Sequence, residues 1–341
     1  MPSESSHLND QSDSQSVDGT NAQPSACAGY QASGLYRSGH FQTVFPTLLR
    51  RVTGVSWQRE RITTADQDFI DLDWLSGGHS RLVLLCHGLE GDSDTHYMKG
   101  MARAVSAAGW DVVGYHFRGC SGEPNLLARA YHSGATDDLA KVIDHVLSGG
   151  QYQQLALVGF SLGGNLVLKY LGEPNNNRPP QLCGGVAISP PCDLSGCCDR
   201  LDEAQNWIYQ QRFLLSLQGK MNAKGEIVRR ALGVDQLPKC RSVREFDHRF
   251  TAPLHGFDGA TDYYQQSSSK QFLGEITHPA LLISAWDDPF LSPSCFPEKG
   301  QVSDQLQLKY SQHGGHVSFM QRDSSGDYWA EQRCVEFLAA F

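Results

Sequence analysis

Hydrophobic and polar positions follow two different periods along most of this chain. Short apolar runs predict buried strands, and between several of them apolar residues recur every three or four positions, as on one face of a helix. The predicted strands cover 81–86, 111–117, 155–160, 184–189, 279–285 and 305–310. The predicted helices cover 97–108, 136–147, 162–171 and 328–341. The pattern therefore predicts an α/β fold.

The order of these elements predicts the kind of sheet. Strands that alternate with helices form parallel neighbours and carry helices on both faces. Ahead of them, residues 55–75 alternate in part and turn at 65–68, which indicates an antiparallel hairpin. We therefore expect a mostly parallel central sheet, with an active site at the carboxyl ends of its parallel strands.

The alternation breaks between residues 194 and 275. Within this stretch, 201–217 has a helical pattern, whereas 243–264 is rich in aromatic residues and is predicted to be a loop. The stretch is expected to be a cap inserted over the strand ends, so that the α/β core consists of 29–193 and 276–341. Residues 1–28 are polar and are predicted to form a disordered tail.

Charge and cysteine usage exclude several classes of protein. The 37 acidic and 28 basic side chains give a net charge of −9, which argues against general binding to nucleic acid or to anionic membranes. No apolar run approaches the ~20 residues that span a bilayer, so stable membrane insertion is not expected. The ten cysteines contain no C-x-x-C spacing, which indicates neither a zinc site nor a disulfide framework. Together with an N-terminus that does not read as a signal peptide, they favour the cytoplasm.

The segment Gly159-Phe160-Ser161-Leu162-Gly163 lies where a predicted strand meets a predicted helix. In this context G-x-S-x-G is typical of a nucleophile elbow, a turn so tight that glycines must flank the serine. Such a turn exposes the Ser161 hydroxyl beside the unpaired backbone N–H groups that begin the helix. The motif predicts acyl transfer with Ser161 as the nucleophile.

A serine hydroxyl needs a base, and that base needs an orienting carboxylate; in sheets of this kind the chain order is Ser, acid, His. The candidate base is His316, which follows two glycines, with His313 as a rival. The acid is Asp287 or Asp288, directly after the strand 279–285. Because the acid commonly follows the last small residue of that strand by three positions, the spacing favours Asp288.

The oxyanion of the reaction needs preorganised donors. One candidate is the backbone N–H of Leu162, directly after the nucleophile. The other is the backbone N–H of Leu89, in the segment His87-Gly88-Leu89-Glu90-Gly91 that follows the strand 81–86. No metal ion or organic cofactor is expected for this chemistry.

Several further side chains are interpreted as structural. A polar network behind the site is predicted for Arg118, Arg129, Tyr131, His132 and Asp137. His255 is interpreted as a core histidine with satisfied hydrogen bonds, the alternative being the cap side of the pocket. The core of the cap is predicted to contain Phe250, Phe257, Tyr263, Tyr264 and Phe272, the alternative being an apolar ligand pocket.

Seven segments of the chain carry a family resemblance. They are HGLEGDSDTHYMKG, HFRGCSGEPNLLARAYHSGATDDL, GFSLGGNLVLKYLGE, TAPLHGF, DYY, AWDDPFL and GGHVSF. From about residue 35 onwards the chain resembles the YheT-like branch of the α/β-hydrolase superfamily, which is related to eukaryotic ABHD1/ABHD3-type proteins and yeast medium-chain acyltransferases. The resemblance implies an α/β-hydrolase fold, a triad of Ser161, Asp288 and His316, and esterase or acyltransferase chemistry.

These observations predict a serine hydrolase that cleaves carboxylic esters of short to medium acyl chain through an acyl-enzyme on Ser161. An alcohol O-acyltransferase with the same triad is one alternative, because the two activities differ only in how the pocket handles water. A non-catalytic binding protein on the same fold is another. The expected partner is a small-molecule ester, and the sequence leaves the oligomeric state open.

Overall fold

The computed structural model describes residues 30–174, 177–322 and 324–341, so the tail predicted over 1–28 lies outside the described residues. In the described part, eight strands form one sheet. They are β1 Gln58–Thr63, β2 Phe69–Leu75, β3 Arg81–Cys86, β4 Asp111–Tyr115, β5 Gln154–Phe160, β6 Leu182–Ile188, β7 Ala280–Ala285 and β8 Leu306–Ser311. Their order across the sheet is β1-β2-β4-β3-β5-β6-β7-β8.

The sheet is parallel except at one edge. β1 pairs with β2 as an antiparallel hairpin in which Ile62 lies opposite Ile70, and β2 is also antiparallel to β4. From β4 through β3, β5, β6 and β7 to β8, every neighbouring pair is parallel. The predicted α/β fold with a mostly parallel central sheet is confirmed.

Helices connect the strands and fill the segment between β6 and β7. They are α1 Gly39–Leu49, α2 His96–Ala107, α3 Thr136–Ser148, α4 Leu162–Gly172, α5 Leu194–Asp202, α6 Trp207–Ala223, α7 Gly225–Leu232, α8 Val243–Phe246, α9 Ala252–His255, α10 Ala260–Ser267 and α11 Trp329–Leu338. A π-helical turn spans Asp247–Thr251. Short 3₁₀ helices span Gly34–Arg37, Ala204–Asn206, Ser269–Glu275, Pro293–Cys295 and Lys299–Gln301. None of the helices in the described ranges is long and apolar enough to cross a membrane.

Helices cover both faces of the sheet, as the burial of β3 illustrates. Leu82 and Leu84 belong to an apolar cluster that includes side chains of α3 and α4. Val83 and Leu85 point to the opposite face and belong to a cluster that includes side chains of α2 and α11. Because a strand buried on both faces has no polar side, β3 reads as a continuous apolar run.

Residues 194–275, called the cap below, are largely helical; the boundaries predicted for this insertion stay a prediction. The helical pattern predicted over 201–217 is confirmed for most of these residues, with a break between two helices, because α5 ends at Asp202 and α6 begins at Trp207. Asn206 explains the break: its side-chain amide donates to the carbonyl oxygens of Arg200 and Pro289, each at 2.8 Å. An Asn that bonds backbone carbonyls competes with continuation of a helix, and here it also ties the break to the core.

The prediction of a loop over 243–264 is wrong, because most of these residues are helical. The Ser242 hydroxyl accepts from the Glu245 N–H at 3.1 Å and so caps α8. Phe246 and Phe250 are buried in an apolar cluster of the cap, and tertiary burial of this kind overrides weak local helix propensity. The predicted aromatic core is confirmed in this cluster for Phe250, Tyr263 and Tyr264, whereas Phe272 lies outside it.

Helix α1 has no counterpart among the predicted elements. The side chain of Arg50, which follows α1, makes a two-pronged ion pair with Glu331 of α11, with N–O distances of 2.6 and 2.8 Å. Both side chains are 4% exposed, and a buried carboxylate needs such a partner. The pair anchors α1 against the C-terminal helix.

The turn between β5 and α4 has no room for side chains at its glycines. A Cβ atom on Gly163 would lie 2.3 Å from the Cys86 carbonyl oxygen at the end of β3. A Cβ atom on Gly159 would lie 2.1 Å from the Gly163 carbonyl oxygen. The first turn of α4 therefore packs against the backbone of β3, and this close approach sets the position of Ser161.

Gly163→Ala is expected to destabilise the protein by about 1–3 kcal/mol, because the new methyl group must push two backbone segments apart. Gly219→Ala is the matched control, since Gly219 also lies in a helix but a Cβ atom there would have no heavy atom within 4 Å. That control should raise the free energy of unfolding by about 0.5–1 kcal/mol. Urea unfolding measures both, and similar effects of the two substitutions would contradict the close approach.

Candidate active site

Ser161 lies in the turn between β5 and α4 with φ +51° and ψ −120°. A positive φ is strained for a residue with a side chain, and strain of this kind gathers at functional sites. The surrounding backbone enforces it, because the Ser161 N–H donates to the Ile188 carbonyl oxygen of β6 at 2.8 Å. The side chain lines two adjoining cavities, described below.

His316 and Asp288 are hydrogen-bonded to each other. His316 Nδ1 lies 2.8 Å from Asp288 Oδ2, and the other carboxylate oxygen accepts from the Phe290 N–H at 2.9 Å. Asp288 is only 2% exposed, so its carboxylate is held by these bonds. Nε2 of His316 has no hydrogen-bond partner in the described ranges, which leaves it available to a neighbouring group. The structure brings His316 to the same two cavities as Ser161.

The rival residues Asp287 and His313 form a second pair. His313 Nδ1 lies 3.2 Å from Asp287 Oδ2, while Oδ1 accepts from the Gly315 N–H at 2.9 Å. Burial raises the pKa of Asp287. His313 lines neither of the two cavities that Ser161 lines. This pair therefore braces the loop on which His316 sits.

Helix α1 supports the same loop from outside. The Thr43 hydroxyl accepts from the His316 N–H at 3.0 Å. A Cβ atom on Gly39 would lie 1.8 Å from the Asp287 carbonyl oxygen, so the start of α1 touches the acid-bearing turn. The sequence reasoning missed these supporting residues. Ser38, whose hydroxyl accepts from the Phe41 N–H at 3.3 Å, is the helix-start signal that marks α1.

The two predicted oxyanion donors face the same space as Ser161. Leu89 and Leu162 both line the inner cavity, and in the part of the chain that the structure describes neither backbone N–H has a hydrogen-bond partner. Leu162 begins α4, so its N–H is one of the unpaired donors of a helix N-terminus. Two such amides beside a serine hydroxyl can stabilise an oxyanion.

His87 fixes the backbone of the loop that carries Leu89. Its Nε2 accepts from the Phe117 N–H at 3.1 Å, so the proton lies on Nδ1, which donates to the Gly88 carbonyl oxygen at 2.7 Å. The Tyr97 hydroxyl accepts from the Gly88 N–H at 3.1 Å. Burial lowers the pKa of His87 to about 3, so the ring is neutral at physiological pH.

The inner cavity lies between the core and the cap. Its walls are mostly apolar, and about 120 Å³ is open to the centre of a water molecule. Representative lining residues from the cap are Leu201, Phe213, Leu217, Phe250 and Leu254. The shape and apolarity suit an acyl chain.

A wider and more polar groove adjoins the inner cavity on the other side of Ser161. About 710 Å³ of it is open to the centre of a water molecule. Thr47 and Arg51 line it on one side, and Tyr209 and Arg212 of α6 line it on the other. His40 Nδ1 lies 3.0 Å from the Tyr209 hydroxyl oxygen, so the α1 region and the cap meet across the groove.

The polar residues predicted to lie behind the site divide into two groups. Arg118, which is 3% exposed, pairs with both carboxylate oxygens of Asp138 at 2.7 Å, and Arg129 pairs with Asp137 at 3.0 Å. These two form a structural network. Tyr131 and His132 instead line the inner cavity.

His255 lines the inner cavity, as the alternative interpretation predicted. Its two ring nitrogens lie 2.6 Å from the Thr251 carbonyl oxygen and 3.2 Å from that of Ala130. Burial lowers the pKa of His255, so the neutral ring carries a single N–H and donates to one of these two carbonyl oxygens.

Known proteins resemble this chain over most of its length. The sequence profile of the family described as "alpha/beta hydrolase fold" matches residues 81–323. The chain is similar to the Escherichia coli (strain K12) protein named "Putative esterase YheT", at 34% identity over 89% of this chain and 90% of that protein. It is also 30% identical to the Homo sapiens protein named "Phospholipase ABHD3", over 83% of this chain and 71% of that protein.

Solved structures show the same fold. The Pyrococcus furiosus esterase Pf2001 matches with a TM-score of 0.54 and 18% identity, over 85% of this chain and 96% of that one. A mutant of the esterase E40 matches with a TM-score of 0.54 and 19% identity, over 88% of this chain and 89% of that one. At these identities the likeness concerns the fold alone.

The neutral state of His87 predicts a dependence of stability on pH. Its pKa is about 3 in the folded protein and 6.5 for an ordinary histidine, so the unfolded chain takes up a proton that the folded chain refuses. The contribution of the neutral His87 ring to the free energy of unfolding is fully present above pH 6.5 and is lost as the pH falls toward about 3. His87→Asn should flatten the decline of the unfolding free energy over this window, as measured by urea unfolding at several pH values.

The control for this prediction is His79→Asn at an exposed position, which should leave the slope unchanged. A slope in His87→Asn equal to that of the wild type would contradict the neutral, buried imidazole.

Proposed function

The chain belongs to the α/β-hydrolase family, and within it to the group that includes YheT; on this premise we propose that it is a serine esterase that cleaves carboxylic esters of short to medium acyl chain. The convergence of groups on the inner cavity carries the proposal. Ser161, His316 with Asp288 behind it, and the unpaired amides of Leu89 and Leu162 all meet there.

In the proposed mechanism His316 takes the proton of the Ser161 hydroxyl as the oxygen attacks the ester carbonyl carbon. The carbonyl oxygen becomes an oxyanion that accepts from the Leu89 and Leu162 N–H groups. His316 then donates its proton to the departing alcohol, which leaves an acyl group on Ser161. Water activated by the same imidazole releases the acid and restores the hydroxyl. Asp288 holds the tautomer and stabilises the imidazolium.

We assign the acyl half of the ester to the inner cavity and the alcohol half to the groove. The inner cavity takes the acyl chain, because its walls are apolar and side chains of the cap such as Phe250 and Leu254 line it. Its volume of about 120 Å³ limits the length of the chain that it can bury, which supports a short to medium acyl group. The groove takes the alcohol, because it is wider and more polar than the inner cavity.

A cytoplasmic location remains our proposal for the compartment. The nine cysteines that the structure describes are all free thiols, as expected under reducing conditions.

A fluorophosphonate probe is expected to label the wild-type protein covalently and to leave Ser161→Ala unlabelled, because only an activated serine attacks phosphorus. Ester hydrolysis by Ser161→Ala should fall by a factor on the order of 10⁴–10⁶. Intact-mass spectrometry and gel fluorescence measure the labelling. An unlabelled wild type that still binds esters would favour the non-catalytic binding protein.

The two aspartates provide the matched pair of variants for the same assay. Asp288→Asn should lower kcat by roughly 10⁴-fold, because the amide favours the wrong tautomer of His316. Asp287→Asn should stay within about tenfold of the wild type, since it removes a brace of the loop and no reacting group. The reverse order of effects would exchange the two assignments.

Among p-nitrophenyl esters of rising acyl length, kcat/KM is expected to peak at short to medium chains and to fall for long ones. The physical reason is that methylenes that the inner cavity is too small to hold stay in water, where they gain no burial energy. Equal rates on long chains would contradict the assignment of the acyl group to this cavity.

Product analysis in the same assays with added ethanol shows whether water or an alcohol accepts the acyl group from the acyl-enzyme. We expect free acid as the main product, because the open groove admits water to the acyl-enzyme. Ethyl ester as the main product would identify an acyltransferase.

A further inference from the structure

Glu90 follows the proposed oxyanion donor Leu89 and has no role in the mechanism above. Its backbone has φ +56°, a conformation that is strained for a residue with a side chain. Such a conformation persists only where neighbouring groups hold it. The orientation of the Leu89–Glu90 peptide, and with it the environment of the Leu89 amide, depends on what holds Glu90.

Three side chains hold Glu90 in place. Tyr131 makes two hydrogen bonds with it: the Tyr131 hydroxyl accepts from the Glu90 N–H at 3.1 Å and donates to carboxylate Oε1 at 2.6 Å. The Lys220 ammonium donates to the same oxygen at 2.9 Å. The Ser216 hydroxyl donates to Oε2. Tyr131 belongs to the core, whereas Ser216 and Lys220 belong to α6 of the cap.

The charge of this contact is largely shielded from water. The Glu90 side chain is 6% exposed and that of Lys220 is 27% exposed. Burial opposes the charge of Lys220, but the nearby Cys120 thiol and the Glu90 carboxylate outweigh it and raise the pKa of the ammonium. Loss of one partner of such a shielded pair leaves the charge of the other uncompensated, which is costly.

The position of the pair links both halves of the site. Lys220 lines the inner cavity, and Glu90 lines the groove. Leu89, between them, packs against the apolar cluster of the cap. The ion pair therefore lies where the cap meets residues 87–91, the loop that carries Leu89, called the oxyanion loop below.

We propose that the Glu90–Lys220 ion pair is a positioning device that ties α6 of the cap to the oxyanion loop and so aims the Leu89 N–H at the developing oxyanion. This inference rests on the proposed function. Glu90 and Lys220 act through the Leu89 backbone and touch no reacting atom. Because the oxyanion carries its full charge only in the transition state, misdirection of the amide lowers kcat and leaves KM nearly unchanged.

Lys220→Met and Glu90→Gln test the device on the full-length protein with a p-nitrophenyl ester. Both remove the charge pair and keep the approximate size of the side chain. Each is expected to lower kcat by about tenfold or more, less than the roughly 10²–10³-fold loss of a whole oxyanion donor, with KM within about threefold of the wild type. Lys220→Arg should restore kcat to within about threefold, since it keeps the charge.

The double variant Glu90→Gln with Lys220→Met tests whether the two residues act as a unit. It should lose no more activity than the more impaired single variant, because one interaction cannot be lost twice. Independent, multiplicative losses would contradict the pair.

Lys224→Met is the matched control. Lys224 directly follows α6 and, like Lys220, donates to the core, at 2.8 Å to Asn125 Oδ1 and at 2.9 Å to the Leu127 carbonyl oxygen. In the described part of the chain it neither bonds Glu90 nor lines the inner cavity. Its kcat should stay within about twofold of the wild type when circular dichroism shows a folded protein. If Lys220→Met does not fold, Glu90→Gln carries the test.

The readouts separate this inference from the proposed function. Fluorophosphonate labelling of the wild type that persists in Ser161→Ala overturns the proposed function. Wild-type labelling at Ser161 with unchanged kcat in both Lys220→Met and Glu90→Gln overturns the positioning device alone. A lower melting temperature without a change in kcat would assign the pair a merely structural role.

Discussion

The close packing of α4 against the end of β3 is the contact on which the candidate site depends. Gly163 lies where a Cβ atom would be 2.3 Å from the Cys86 carbonyl oxygen, so the helix begins closer to the sheet than a side chain permits. Cys86 is the last residue of β3, and the loop that carries Leu89 starts directly after it. One backbone contact thus sets Ser161, the Leu162 amide and the loop of Leu89 relative to each other, before any side chain contributes.

The histidine side of the site is held by several separate contacts. Asp288 orients His316, while Asp287 holds His313 and the Gly315 amide in the same loop. Of the two neighbouring aspartates, Asp288 therefore binds the His316 ring and Asp287 supports the backbone of the loop that carries it. Helix α1 adds a third support through Thr43, and the buried pair of Arg50 and Glu331 anchors that helix in turn.

The cap completes the site because it supplies one wall of the inner cavity and one side of the groove. It has an apolar cluster of its own, and it meets the core at Leu89 and Phe290. Phe290 also packs edge-on against the His316 ring, with centroids 4.6 Å apart. The cap therefore contacts both the Leu89 side and the His316 side of the candidate site.

The sequence alone determined the sheet, the elbow at Ser161 and the segments that carry the candidate acid and base, because periodicity, the flanking glycines and chain order are local or nearly local signals. Only the tertiary structure decided that Asp287 binds His313 and Asp288 binds His316, since each histidine lies 26 or 28 residues further along the chain than its aspartate. It also decided that 243–264 is helical, because burial of Phe246 and Phe250 supplies energy that local propensity lacks. The contact of Glu90 with Lys220 joins residues 130 positions apart, and no pattern in the chain marks such a pair.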